Sequence, residues 1–379
     1  MIYNKYRPRN LDEVRGQEYV KRVLSRQVES GQIPNAYLFV GPAGTGKTTC
    51  ARILSSMLNC STGVSMKPDP NDRFVSDILT GRCQQDVYEI DAASYGRVEN
   101  ARKLREEAFM APLVMARKIY IIDECHRLSP EAWEALLKIM EEPPKSVLFI
   151  LCTTDPSKIK QTILTRAMVL EFKPLLAQEV MAELRRVSSA EKITIDDDAL
   201  RMLSIAAKGS MRQALNWLET CLQGSSGERI TADKLSGQIG LVNRSRARDF
   251  INSVINKKFV DSMTASSSSL AEGCPPSEFL SECANYCHDM MLVSAAGFSM
   301  ENMGYTSTEI EDVRRSKDDI VKLCNGGVAI DVILLWISAL QESSSLTVFN
   351  MNPQFMADTA FVKMHSILRT HVTKSAKQG

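Results

Sequence analysis

Short apolar runs and amphipathic stretches alternate along the first half of the chain. The apolar runs at 36–40, 87–91, 118–122 and 147–152 are rich in Val, Ile, Leu and Phe. Runs of this length that are apolar almost throughout are typical of strands buried on both faces of a parallel sheet. The alternation therefore predicts an α/β unit built on a parallel sheet.

The stretches between these runs have the helical period. Apolar residues recur at helical spacing in 20–27 and again in 49–58. A third helix is predicted to begin with Ser129 as its cap and Pro130 in its first turn, and to end at Glu142. We therefore expect helices between the strands.

The pattern changes after residue 173. Short helices are predicted from 174 onward, and Ser210 is placed to cap one of them. Beyond 243 the chain has long helical patterns and almost no strand signal. We expect three domains, with the α/β unit at 1–173, a small helical domain at 174–242 and an all-helical domain at 243–379 that ends in a disordered polar tail from 372.

One stretch inside the α/β unit lacks this periodicity. Residues 59–82 are filled with Ser, Gly, Pro and Asp, which predicts a surface insertion. Cys60 and Cys83 flank it, with no His between them. Two cysteines do not make a tetrahedral zinc site, so two unlinked thiols are expected and zinc is not.

Composition narrows the class of protein. The 379 residues are 44% hydrophobic and 24% charged, and the net charge is +1. Nucleic-acid binding would therefore need a local basic strip. The ten cysteines are scattered, several of them in apolar runs, as in a protein with reduced thiols. Because no apolar run is long enough to span a bilayer, we expect a soluble intracellular protein.

The strongest chemical signal follows the first apolar run. Gly41-Pro42-Ala43-Gly44-Thr45-Gly46-Lys47-Thr48 lies between a predicted strand and a predicted helix. In that context the pattern indicates a phosphate-binding loop, whose backbone N–H groups and helix N-terminus surround the phosphates. Lys47 is placed to reach the β- and γ-phosphates, and the Thr48 hydroxyl to hold Mg²⁺.

A pair of acids ends the strand predicted at 118–122. At the carboxyl end of a parallel strand, Asp123 can hold Mg²⁺ through its water shell. Glu124 can orient the attacking water in phosphoryl transfer. The pair is weak by itself and gains its meaning from the phosphate-binding loop upstream.

Three further residues have two interpretations each. Thr153 and Thr154 follow a predicted strand, where hydroxyls either sense a γ-phosphate or cap the turn. Arg166 lies between apolar stretches. It is either the partner of a structural ion pair or an arginine finger.

The stretch at 97–113 is predicted to be a helix with a basic start and an apolar end. Arg97, Arg102 and Lys103 either contact phosphates or form a solvated face. Phe109 and Met110 either belong to the core or form an exposed apolar tip that meets a partner.

In this order the motifs resemble those of the AAA+ ATPases, and more narrowly the clamp-loader ATPase subunits. The most specific pieces are KYRPRNLDEVRGQE, GPAGTGKTTCARILSSMLNC, YEIDAAS, IIDECHRLSPEAWEALLKIMEEPP, TTDPSKI, TILTRA and GSMRQAL. The resemblance covers residues 3–242 densely and the helical remainder only in character. It implies an AAA+ parallel sheet, a helical lid and an all-α collar.

The resemblance also implies roles for particular residues. Lys47, Asp123 and Glu124 would be catalytic, with Arg212 as second sensor and Arg166 as a finger reaching a neighbouring subunit. Thr154 would be the first sensor, with a shift to Thr153 left open. The residues that would bind ATP are Tyr6, Arg7, Pro8, Val14, Gln17, Gly41, Ala43, Gly44, Thr45, Gly46, Lys47, Thr48, Thr49, Thr154 and Arg212, with Thr48 and Asp123 serving Mg²⁺.

Three departures from the family pattern qualify these roles. The finger motif reads Thr165-Arg166-Ala167 rather than Ser-Arg-Cys. Of the family's four zinc-binding cysteines only Cys60 matches clearly, and Cys83 is a candidate for a second match. Tyr95 stands where the family usually has a basic residue, which leaves Arg97 and Arg102 as the better DNA contacts.

The resemblance implies an ATPase subunit of a pentameric loader that opens a sliding clamp and places it on primer–template DNA. The implied partners are the other loader subunits, the clamp and the DNA, with Phe109 and Met110 contacting the clamp. Two alternatives are a non-hydrolysing scaffold subunit and a branch-migration-type helicase motor. Scaffold subunits usually have a broken phosphate-binding loop, and such motors carry a winged-helix domain.

Overall fold

The computed structural model describes most of the chain. The described residues are 1–83, 85–94, 107–224, 229–231, 234–235, 244–271, 274–293, 300, 307–324, 329–345 and 353–375. The chain forms two compact units, Met1–Glu183 with Ala207–Asn216, and Leu184–Ala206 with Trp217–Gly379. The domain boundaries expected at 173 and 242 remain predictions.

A five-stranded parallel sheet forms the centre of the first unit. Its strands are β1 (Ala36–Val40), β2 (Val87–Asp91), β3 (Lys118–Asp123), β4 (Val147–Thr153) and β5 (Met168–Glu171), in the spatial order β2-β3-β4-β1-β5. All four strands predicted from the apolar runs are confirmed. Because the strands are parallel, β1, β3 and β4 deliver the residues that follow them to one edge of the sheet.

The helices up to β5 either precede β1 or lie between the strands in the sequence. They are α1 (Ile2–Lys5), α2 (Glu18–Ser30), α3 (Lys47–Leu58), α4 (Arg73–Thr80), α5 (Pro130–Glu141) and α6 (Gln161–Leu164). Ser129 caps α5 as predicted, since its side chain accepts a hydrogen bond from the Ala132 N–H. Two buried apolar clusters fill the spaces between helices and sheet.

The helix α4 interrupts the insertion at 59–82, where the sequence pattern predicts no helix. Asp72 caps its start by accepting from the N–H groups of Phe74 and Val75, and Gly81 ends it with φ +73°. Val75 and Ile78 are buried. Phe74, Val75, Ile78 and Leu79 have helical spacing, but this short amphipathic pattern is easily missed among the surrounding polar residues.

The following helices have the short lengths predicted after 173. They are α7 (Ala177–Ala190), α8 (Asp197–Ala206) and α9 (Met211–Gly224). Ser210 accepts a hydrogen bond from the Gln213 N–H at 3.4 Å, in agreement with its predicted role as a cap.

The described part of the chain from residue 244 onward is helical. Its helices are α10 (Arg244–Ile255), α11 (Phe259–Ala271), α12 (Pro276–Leu292), α13 (Ser307–Leu323), α14 (Ala329–Ser344) and α15 (Pro353–Ser375). They share one buried core around Phe250, Phe279 and Trp336. The expectation of a disordered tail from 372 is wrong for 372–375, which belong to α15, and 376–379 lie outside the described residues. No helix within the described residues is long and apolar enough to cross a membrane.

Candidate nucleotide-binding site

The glycine-rich loop connects the end of β1 to the start of α3. Gly44 and Gly46 have φ values of +77° and +102°, which favour glycine over residues with a side chain. The helix begins at Lys47, so its first backbone N–H groups face the loop. This is the strand–loop–helix arrangement predicted from the sequence.

Gly44 lies against the start of α9. A Cβ atom on Gly44 would lie 2.1 Å from Ser210 Oγ. The Gly44 carbonyl accepts a hydrogen bond from the Met211 N–H at 3.1 Å. The loop is thereby held against the segment that carries Arg212.

Lys47 is buried beneath the loop. Its Nζ donates to the carbonyl oxygens of Gly41 at 2.7 Å and Pro42 at 2.9 Å. Burial lowers the pKa of Lys47, while Cys152, Glu124 and Asp123 act in the opposite direction. An anion above the loop would offer this ammonium group a charged partner in place of two carbonyl groups.

Thr48 and Asp123 come together although they are far apart in sequence. The Thr48 hydroxyl donates to Asp123 Oδ2 at 2.9 Å. Asp123 is the last residue of β3 and Thr48 is in the first turn of α3. A hydroxyl beside a carboxylate is a hard oxygen donor set of the kind that Mg²⁺ prefers.

Glu124 follows Asp123 directly, and its backbone lies in the left-handed region with a φ of +48°. Its Oε2 accepts a hydrogen bond from the Thr154 hydroxyl at 2.7 Å and lies 3.3 Å from Nδ1 of His126. About a third of the Glu124 side chain remains exposed. Thr154, which follows β4, therefore orients the carboxylate by a hydrogen bond, and His126, which follows β3, lies beside it.

The two threonines at the end of β4 differ in their surroundings. Thr153 is fully buried, and its Oγ1 lies 3.0 Å from Nδ1 of His126. Thr154 contacts Glu124. Of the two, Thr154 has the contact with the proposed catalytic residue, which favours it as the sensor.

One pocket contains most of the predicted residues. Those that line it are Tyr6, Arg7, Pro8, Val14, Ala43, Gly44, Thr45, Gly46, Lys47, Thr48, Thr49, Asp123, Glu124 and Arg212. The N-terminal segment, the loop, the end of β3 and the start of α9 thus enclose a common space.

Cations accumulate around this pocket. Burial, and then neighbouring Arg52 and Arg212, lower the pKa of Arg7, although Glu89 opposes them. Arg212 also acts to lower the pKa of Lys47. A polyanionic ligand would relieve this repulsion, as a nucleotide triphosphate does.

Three predicted residues contact the pocket only indirectly. Gly41 supplies a carbonyl group to Lys47, and Thr154 acts on Glu124. Gln17 exchanges hydrogen bonds with the backbone of Lys173, donating at 2.7 Å and accepting at 3.0 Å. It also donates to the Thr45 carbonyl oxygen at 3.4 Å, so it supports the loop from behind.

The pocket also has lining residues that the sequence did not reveal. They are Tyr3, Glu13, Arg15, Leu175, Glu183, Met211 and Leu215. The Arg212 guanidinium lies over the Tyr3 ring at 5.8 Å, and Arg15 is paired with Glu183 at 2.8 Å. Leu215 could have been found, since it is three residues from Arg212 on the same helix. Nothing in the sequence marks Tyr3 or Glu183.

Arg166 lies away from its own chain's pocket. Its guanidinium donates to Glu141 Oε1 and to the Thr162 carbonyl oxygen, both at 3.0 Å. The side chain is about one-third exposed. Its role as a finger toward a neighbouring subunit stays a prediction.

Arg97, Arg102, Lys103 and Tyr95 lie outside the described residues. The apolar residues that follow are described: Phe109 is 56% exposed and Met110 61%. Leu113 and Val114 are exposed as well. We call these four residues the apolar tip.

The cysteines form no disulfide bonds, and nine of the ten are buried. Cys60 contacts Thr62 Oγ1 and Asp72 Oδ2. Across the described ranges, no group of three or more His, Cys, Asp or Glu side chains is arranged to hold a metal ion. The expectation that zinc is absent stays a prediction.

The pocket fits a nucleotide with Mg²⁺ on the chemistry of its own residues. Gly46 leaves open space where a Cβ would project, and Lys47 and Arg212 provide cations around the loop. Thr48 and Asp123 provide oxygen ligands for the metal. These residues would hold the phosphates and the ion respectively.

Comparison with known families agrees with this geometry. Residues 16–176 match the family model described as DNA polymerase III, delta subunit. Residues 179–222 match that of the DNA polymerase III clamp loader subunit, ATPase lid domain. The chain therefore belongs to the clamp-loader subunits of DNA polymerase III, as the sequence motifs indicated.

Within that class the chain is similar to the gamma/tau subunits of bacterial DNA polymerase III. It is 33% identical to subunit tau of Bacillus subtilis over 295 residues, which cover 78% of this chain and 52% of that protein. It is 33% identical to subunit tau of Escherichia coli over 302 residues, 80% of this chain and 47% of that protein. The chain thus spans about half the length of these curated relatives.

The solved structures include a more distant likeness. The RuvB Holliday junction branch migration motor of Thermotoga maritima superposes with a TM-score of 0.47 and 22% identity, over 66% of this chain and 79% of that one. A likeness of this degree does not bear on function.

Proposed function

We propose that this chain is an ATPase subunit of a sliding-clamp loader, which opens a ring-shaped clamp and places it on primer–template DNA. The observation that carries the proposal is the pocket in which Lys47, Asp123, Glu124 and Arg212 meet. Membership of the clamp-loader family supplies the biological context.

Within one subunit, the residues of the pocket have different roles in phosphoryl transfer. Lys47 and Arg212 bind and orient the phosphates, while Thr48 and Asp123 hold Mg²⁺, which neutralises charge on the phosphate oxygens when bound. Glu124 accepts a proton from the attacking water at its carboxylate. Tyr6, Arg7, Pro8 and Val14 form the wall that positions the base and ribose.

A neighbouring subunit completes the site in this proposal. Arg166 would leave Glu141 and reach the adjacent phosphates, stabilising charge that develops in the transition state. The active form is then an assembly, a pentamer by family resemblance, and the isolated chain hydrolyses ATP poorly. The helical residues from 243 onward would form the collar that holds the subunits together.

The proposed macromolecular contacts lie on two parts of the first unit. Arg97, Arg102 and Lys103 would contact the DNA backbone, a contact that carries no sequence information. The apolar tip would contact the clamp, since exposed Phe and Met side chains are typical of binding surfaces.

The alternatives are less well supported. A non-hydrolysing scaffold subunit has no use for an intact set of Lys47, Thr48, Asp123 and Glu124. A branch-migration-type helicase motor would carry a winged-helix domain, whereas the described residues from 244 onward are helical.

Turnover of ATP in the reconstituted loader tests the proposal. We expect strong stimulation when clamp and primed DNA are both present, and loss of turnover with Lys47→Ala. Stimulation by DNA alone would favour a helicase motor. Equal rates for the wild type and Lys47→Ala would favour a scaffold subunit.

A further inference from the structure

The segment 107–117 carries the apolar tip and has little regular structure of its own. Three buried polar side chains bind its backbone from below: Asn59, Asp86 and Lys118. Their exposed fractions are 2%, 0% and 3% respectively. Polar side chains are rarely buried to this extent unless they form hydrogen bonds or ion pairs.

Asp86 holds the second half of the tip. Its two carboxylate oxygens accept hydrogen bonds from the backbone N–H groups of Leu113, Val114 and Met115, at 2.8, 2.8 and 2.9 Å. These successive donors converge on one buried charge. The backbone beneath Leu113 and Val114 is thereby fixed in one conformation.

Lys118 holds the first half. Its Nζ donates to the carbonyl oxygens of Glu107 at 2.8 Å and Met110 at 3.1 Å. These carbonyl groups flank Phe109 in sequence. Asp86 and Lys118 are also neighbours in the sheet, because the Ile119 N–H donates to the Asp86 carbonyl oxygen at 2.7 Å.

Asn59 fixes the end of the segment. Its side-chain amide donates to the Arg117 carbonyl oxygen and accepts from the Arg117 N–H, both at 2.9 Å. Asn59 is the C-cap of α3, the helix whose first residue is Lys47. One end of α3 therefore forms the phosphate-binding loop, and the other end holds the base of the tip.

All three side chains bind backbone groups of one exposed segment. A loop that only connects two elements has no need of such support, since water satisfies its backbone groups. A binding surface gains affinity when its conformation is fixed in advance, because less ordering is needed on binding. This reasoning rests on the proposed clamp contact.

We infer that Asn59, Asp86 and Lys118 are positioning residues that hold the apolar tip in its clamp-binding conformation. They act through the backbone of 107–117 and touch no partner themselves. We expect the apolar tip to bind in an apolar groove on the sliding clamp. The clamp would then cover Phe109 and Met110.

Asp86→Asn is the most direct test, because the amide has nearly the same shape but only one acceptor oxygen for three N–H donors. In the full-length chain within the loader, we expect clamp affinity to fall about tenfold, since hydrogen bonds to a charged group are lost. Amide hydrogen exchange at 113–115 should become faster, and nucleotide affinity should stay within about twofold, since no pocket residue changes. Asp77→Asn, which alters a partly exposed carboxylate on α4, serves as the matched control.

A double-mutant cycle separates positioning from general destabilisation. In the background of Phe109→Ala with Met110→Ala, Asp86→Asn should have no further effect on clamp affinity. Equal losses in both backgrounds would overturn the inference, as would unchanged exchange at 113–115. The same cycle can be repeated with Lys118→Met in place of Asp86→Asn, and we expect the same pattern of clamp affinities.

The outcome also distinguishes this inference from the proposed contact. If Phe109→Ala with Met110→Ala leaves clamp affinity unchanged, the clamp binds elsewhere and both the contact and the positioning role fail. If that pair abolishes binding while Asp86→Asn and Lys118→Met bind normally, the contact stands and only the positioning role is overturned.

Discussion

The Thr154 hydroxyl donates a hydrogen bond of 2.7 Å to the carboxylate of Glu124. Glu124 is the residue proposed to accept the proton of the attacking water. Glu124 can orient that water only when its side chain adopts certain rotamers. The hydrogen bond from Thr154 favours one of them. The end of β4 therefore controls the residue that follows β3.

Thr154→Val removes this hydrogen bond while keeping the shape of the side chain. We expect kcat for ATP hydrolysis to fall about tenfold, since a hydrogen bond to a charged group is lost. Nucleotide affinity should change little if Thr154 acts mainly through Glu124. Thr153→Val is the comparison, and an equal fall in kcat for that variant would show that the wrong threonine has been assigned.

His126 is the second side chain on Glu124. The Thr153 hydroxyl donates to the Asp155 carbonyl oxygen at 3.2 Å and accepts from its N–H at 3.0 Å. When the Thr153 hydroxyl donates to Asp155, its contact with His126 Nδ1 needs a proton on that ring nitrogen. The same ring nitrogen lies 3.3 Å from Glu124 Oε2.

His126→Phe should therefore lower kcat by at most about tenfold, because Glu124 loses the ring nitrogen that lies 3.3 Å from its Oε2. His126→Asn keeps a donor near the same place, and we expect it to recover part of the lost rate. Steady-state kinetics of the reconstituted loader will show this. A rate for His126→Asn below that of His126→Phe would contradict the role of the donor.

Gly44 is constrained both by its backbone and by a neighbour. Gly44→Ala would place Cβ 2.1 Å from Ser210 Oγ at a φ of +77°. The left-handed backbone alone costs about 1–2 kcal/mol for an alanine. Displacing Ser210 should add to this and disturb the start of α9, so nucleotide affinity should also fall.

Gly31→Ala is the matched control for this variant. Gly31 has a φ of +68° and nothing within 4 Å of its Cβ position. Denaturant unfolding should show a smaller loss of stability for Gly31→Ala, and nucleotide titration no loss of affinity. Equal effects of the two substitutions would mean that the contact with Ser210 is unimportant.

Arg166 is paired with Glu141 at 3.0 Å in the single chain. If it serves a neighbouring site, Arg166→Ala should lower turnover of the assembled loader by ~10³–10⁵, as the loss of an arginine finger does elsewhere. ATP affinity of the isolated chain should be unchanged. Glu141→Gln, which weakens only the resting ion pair, should leave turnover intact. A loss of ATP affinity in isolated Arg166→Ala would place the arginine in its own subunit's site.

Local patterns explain why much of the site could be predicted. The strand, glycine-rich loop and helix around Lys47 are contiguous, and the acids at Asp123 directly follow an apolar run. The sheet then places the ends of β1 and β3 on one edge, with β4 between them. For such features, spacing in the sequence is already structural information.

The buried polar contacts had no such signal. Asp86 and Lys118 read as ordinary charged residues at the starts of strands. Asn59 meets Arg117 across 58 positions. The type of a polar residue does not show whether it is buried or exposed. Only the fold shows which groups its side chain hydrogen-bonds.

The distribution of cysteines has a practical consequence for spectroscopy. Cys83 is partly exposed, and the other nine thiols are buried. In the native protein a maleimide dye should therefore react first at Cys83, next to α4 and near the start of β2. The wild-type sequence thus provides one preferred attachment point, from which fluorescence could follow movements of the insertion while the loader turns over.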